Sequence, residues 1–90
     1  MRRAFANRVD NTAKELIAYA QSIGFDYLPI NGTVDGLLVL DSFRAVVVDW
    51  KSPGGELTDA QSKMVARGFP IKFISKPEQL DRLKTEMHRA

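Results

Sequence analysis

Two β-rich runs, Gly36–Leu40 and Ala45–Trp50, are separated by only four residues, Asp41 to Arg44, and no other feature limits the fold of this chain as strongly. So short a connection joins antiparallel neighbours, so the two runs form a hairpin at the centre of a sheet. The flanking segments extend that sheet. Phe25 to Ile30 reads as a short strand closed by Asn31-Gly32, and Pro29 suits an edge position because it has no N–H for a ladder bond. Thr58-Asp59-Ala60-Gln61 has the form of a capping box opening a helix that Gly68 ends, and Pro70 to Ile74 is a fourth strand. With a helix between them, the third and fourth strands run parallel through a right-handed crossover.

Phe5, Val9, Ala13, Leu16, Ile17, Ala20 and Ile23 recur at helical spacing and Gly24 follows them, so a first helix ends near Ile23. Ser75-Lys76-Pro77-Glu78 gives a second capping-box start, and Leu80, Leu83 and Met87 carry a last amphipathic helix. The expected architecture is one α/β domain spanning residues 1–90, a mixed four-stranded sheet flanked by helices.

Composition narrows the chemistry. With no cysteine and one histidine, His88, the chain has no disulfide framework, thiolate zinc site, cysteine nucleophile or Ser-His-Asp triad. A net charge of +2 allows a polyanionic partner without identifying one. Arg2, Arg3 and Arg8 could touch phosphates at one terminus, and Lys84, His88 and Arg89 at the other, although solvated ends explain both clusters equally well. No apolar run approaches the ~18 residues of a membrane span, so the chain reads as soluble and unexported.

The run Val46-Val47-Val48-Asp49-Trp50-Lys51 places a carboxylate where burial without a partner costs several kcal/mol. Strand alternation puts Asp49 and Lys51 on one face, about 6.6 Å apart, and Val48 and Trp50 on the other. Trp50 therefore belongs to the core. Asp35, at the start of the first hairpin strand, lies beside the end of the second. A two-residue loop with Asp41 opposite Arg44 would send Asp35 to the Trp50 face. A three-residue loop, Ser42 to Arg44, or a bulge of equal effect, sets Asp35 on the face of Asp49 and Lys51, and that register is expected. Two neighbouring carboxylates repel unless a cation lies between them, and Mg²⁺ or Mn²⁺ suits oxygen ligands. The Trp50 carbonyl could supply a further oxygen. The alternative is a cross-strand ion pair of Asp35 or Asp49 with Lys51 on a solvated face.

The ordered string Gly32-Thr33-Val34-Asp35, then Val46 to Lys51, Ser52-Pro53-Gly54-Gly55-Glu56-Leu57 and Thr58 to Gln61, resembles the VRR-NUC branch of the PD-(D/E)XK nucleases. The likeness continues through Gly68 to Ile74 and the final helix. It implies a restriction-endonuclease-like core and a divalent-metal DNA endonuclease, similar to the small stand-alone phage forms that resemble Holliday-junction resolvases. It further implies branched DNA as substrate, a homodimer, and the cytoplasm of a bacterial or phage-infected cell. By this resemblance Asp35 matches the acid of the first motif, Asp49 and Lys51 the acid and lysine of the second, and Gln61 the downstream glutamine. Val34 stands where the family has proline, and Asp49 is shorter than the glutamate more usual in this branch. The family also places an acid on the first helix. Counting back from Gly24 favours Asp10, with Glu15 as the alternative, since Thr12-Ala13-Lys14-Glu15 could itself be a capping box. The rival expectations are a non-catalytic DNA-binding or assembly module on the same fold, and a nuclease that nicks flaps or duplexes.

Overall fold

The computed structural model describes the backbone of residues 2–30 and 32–89 and the side chains of residues 12–30 and 32–89. The elements run α1 (Arg2–Ser22), β1 (Asp26–Pro29), β2 (Gly36–Asp41), β3 (Arg44–Trp50), α2 (Asp59–Ala66), β4 (Ile71–Ile74) and α3 (Pro77–Arg89). The four strands form one sheet in the order β1-β2-β3-β4, antiparallel except for the parallel pair β3 and β4. The architecture is thus α/β with a mixed sheet and three flanking helices. Pro29 closes edge strand β1, where its missing N–H costs no ladder bond.

The turn between β2 and β3 corrects one expectation. Asp41 pairs with Arg44 around the two-residue turn Ser42–Phe43, and the three-residue loop is not formed. The ladder shifts between Val39 and Asp41, so Leu40 is the extra residue of a bulge and Val39 faces Ala45. The bulge restores the parity that the tight turn would have inverted. The turn is held locally by the Asp41 carboxylate, which accepts the Phe43 N–H at 2.9 Å and lies 3.8 Å from the Arg44 guanidinium.

One side of the sheet carries the core. Leu38, Val48, Trp50 and Ile74 pack with Leu16 and Ala20 of α1, with Phe25, and with Leu80, Leu83 and Met87 of α3. Helix α1 is continuous through Thr12, so no capping box forms there. It ends at Gly24, whose φ of +110° is open to glycine at little cost. Helix α3 starts differently from the sequence expectation. Gln79, not Glu78, turns back to accept the N–H groups of Ser75 and Lys76, at 2.7 and 3.0 Å. None of the described helices is long and apolar enough to cross a membrane.

The other side of the sheet is ordered in rows across the strands. Leu28, Leu37, Val47 and Ile71 make one row, none of them fully buried, and Leu28 is 53% exposed. In the next row towards the β3 C-terminus, the ladder carries Ile30, Asp35, Asp49 and Phe73 side by side. Helix α2 reaches this side through Gln61, its buried residue, which bonds to the Lys51 ammonium.

Candidate active site

The site grows out of unsatisfied backbone at the end of the hairpin. Strand β2 begins at Gly36, opposite Val48, so the Trp50 N–H has no β2 carbonyl to meet. A buried N–H without a partner is costly, and the Asp35 carboxylate takes the carbonyl's place, accepting that N–H at 2.8 Å. The Asp35 carbonyl is itself held by the Ile30 N–H at 2.7 Å and the Tyr27 hydroxyl at 3.1 Å. Both ends of this residue are therefore fixed.

Asp49 reaches the same place from β3. It is 5% exposed, and its Oδ2 lies 3.0 Å from the Lys51 Nζ. An ion pair this secluded is tolerable only when its remaining hydrogen-bonding capacity is met. Lys51 meets it with a second bond, donating to the Gln61 Oε1 at 2.9 Å, while its ammonium stands 5.8 Å from the centroid of the Phe73 ring. Gln61 is 2% exposed and has three partners. Its Oε1 also accepts the Thr58 N–H at 3.1 Å, and its Nε2 donates to the Thr33 carbonyl at 2.8 Å. The capping box expected from sequence is present, closed by the bond from the Gln61 N–H to the Thr58 Oγ1. One glutamine thus caps α2, anchors the loop before β2 and fixes the lysine.

The electrostatics follow from this crowding. Burial, first of all, lifts the Asp35 carboxyl above the ordinary 3.8; the bond from the Trp50 N–H opposes this. The charge of Asp49 and a shared hydrogen bond with it raise it further, and Lys51 pulls it down. Two like charges thus stand in adjoining positions, an arrangement that a cation between them would relieve.

Asp35, Asp49 and Lys51 are therefore brought together as the strand spacing implied, although Asp35 stands beside Asp49 and not opposite Lys51, and Gln61, singled out by the resemblance alone, joins them. The simple surface ion pair does not describe the arrangement, because Asp49 is buried and a second carboxylate adjoins it. The Trp50 carbonyl belongs to the same backbone edge as the N–H bonded to Asp35. Glu15 is not part of the cluster. It is exposed and lines a groove of about 260 Å³ with Thr12, Leu16, Pro53, Ser75 and Pro77. The side chains of Asp10, Arg2, Arg3 and Arg8 lie outside the described residues. Among the described residues no three or more His, Cys, Asp or Glu side chains gather as a metal-binding group, and the described acids of the site are Asp35 and Asp49. Tyr27 was not legible from the sequence as a member, because its bond to Asp35 depends on a strand pairing that no local motif encodes.

No family model, curated protein or solved structure matches the chain.

Proposed function

We propose that this protein is a divalent-metal-dependent DNA endonuclease with a restriction-endonuclease-like core, acting on branched DNA such as four-way junctions. The observation that carries the reading is the convergence of Asp35 and Asp49 beside a secluded Lys51. The two carboxylates offer oxygen donors to a hard cation, Asp35 oriented through Oδ2 by the Trp50 N–H and Asp49 through Oδ2 by Lys51. The donor set fits Mg²⁺ or Mn²⁺, with the Trp50 carbonyl, waters and a substrate phosphate as further oxygens. When bound, such an ion lowers the pKa of a coordinated water and shields charge developing on phosphorus.

The chain's own residues do the rest. Asp35 is held from both ends, so its carboxylate needs little reorganisation to meet a cation. Of three ammonium N–H donors, Lys51 directs one to Asp49 and one to Gln61, leaving one for a phosphate or water oxygen. Gln61 keeps that donor in place and balances no charge itself. The preference for branched DNA comes from the resemblance to VRR-NUC nucleases and not from these residues. A homodimer would present two such sites, and the apolar row of exposed Leu28 with half-buried Leu37, Val47 and Ile71 is the surface that favours one.

The test is cleavage of junction, flap and linear duplex DNA with Mg²⁺, Mn²⁺ or EDTA, alongside Asp49→Asn. Metal-dependent cutting that is strongest on the junction and lost in the variant is expected. Cutting that survives both chelation and the substitution would refute the mechanism. Binding of DNA without cutting under any metal would favour a non-catalytic module.

A further inference from the structure

Asp35 lies just before β2, where a loop would ordinarily leave a carboxylate free to wander. Tyr27 removes that freedom. In β1 it pairs with Leu38, so its side chain lies on the core side of the sheet, beneath the row that holds the acids. Its ring passes over Gly36, the residue after Asp35. A Cβ added there would stand 2.4 Å from the Leu28 carbonyl oxygen and 2.7 and 2.8 Å from the Tyr27 ring, so only glycine leaves room. The ring then meets Trp50, with centroids 5.6 Å apart and planes tilted by 58°. Its hydroxyl thereby arrives under the peptide that carries the Asp35 carboxylate and donates to its carbonyl.

The surroundings make that bond count. Trp50 is 5% exposed, and its indole N–H is buried with no acceptor among the described residues. The bond from the Tyr27 hydroxyl is part-buried, where a satisfied hydrogen bond is stronger than in water.

We propose that Tyr27 is a positioning residue for Asp35, fixing the peptide from which the carboxylate reaches both the Trp50 N–H and a bound cation. The catalytic consequence rests on the nuclease reading, whereas the hold on Asp35 does not. Tyr27→Phe removes the hydroxyl and keeps the ring. In the metal-free protein, hydrogen exchange of the Trp50 amide is expected to quicken roughly 2- to 10-fold, the worth of one such bond, with the Ala45 to Val48 amides unchanged. A Mn²⁺ titration followed by quenching of the single tryptophan should show a similar loss of affinity. Equal quickening of exchange along all of β3 would overturn the proposal in favour of plain packing, as would unchanged exchange at Trp50. Local loss of Trp50 protection with no Mn²⁺ bound by either protein would support the positioning role while refuting the metal reading.

Discussion

Gln61→Leu tests how far one side chain holds this site together. The substitution keeps the approximate volume and deletes both polar atoms of a residue that is 2% exposed. Two neutral bonds are lost, Thr58 N–H to Oε1 and Nε2 to the Thr33 carbonyl, each worth about 0.5–1.5 kcal/mol net. The bond from Lys51 is charge-assisted and worth about 1.5–3 kcal/mol. These contributions are not additive, and the ammonium keeps Asp49, so the expected destabilisation is about 2–4 kcal/mol. For a domain of this size that is a fall in Tm of roughly 10–25 °C. Gln61→Glu separates the roles, because it keeps both bonds to Oε1 and sets a carboxylate against the Thr33 carbonyl, for a loss of about 1–3 kcal/mol. Urea unfolding of the three proteins at neutral pH, with equal m-values, gives the numbers. A Gln61→Leu protein within about 0.5 kcal/mol of wild type would show that these bonds do not hold the site, and would refute the reasoning.

Two further outcomes follow from the same geometry. Because the Asp35 carboxyl is held above its ordinary value, the fold favours its protonated form; the stability this brings is full below the unfolded pKa and lost as pH rises through the folded one. Asp35→Asn should therefore gain on wild type from acid to neutral pH in EDTA, and excess Mn²⁺ should reverse the order; urea midpoints between pH 3 and 7 in which the variant loses ground without metal would contradict this. Leu28→Glu places a charge at the exposed end of the apolar row and should lower the association seen by sedimentation velocity without lowering Tm by more than a few degrees, whereas unaltered association would remove that row from any dimer contact.

The parts of this site that depend on strand alternation and local capping are legible in the sequence. Asp49 and Lys51 share a face because they are two residues apart in a strand, and Thr58 with Gln61 announces the start of α2 before any contact is known. Alternation also requires an odd residue in the hairpin if Asp35 is to join them, but not where it goes. The chain places it at Leu40 as a bulge and closes the turn with an Asp41 side-chain bond, a choice set by sheet twist and pairing along the whole ladder. Gln79 replaces Glu78 in the cap of α3 because the helix starts one residue later than the Ser75 motif implies. Tyr27 and Gly36 act through space between strands, so neither carries a signal in its own neighbourhood.

The most direct test of the account is Mn²⁺ binding by titration calorimetry to wild type, Asp35→Asn and Asp49→Asn, each shown to be folded by circular dichroism. One site per chain in the wild type, weakened at least tenfold in both variants, is the predicted result. Equal binding by all three, or none by the wild type, would contradict the claim that these two carboxylates jointly hold a cation.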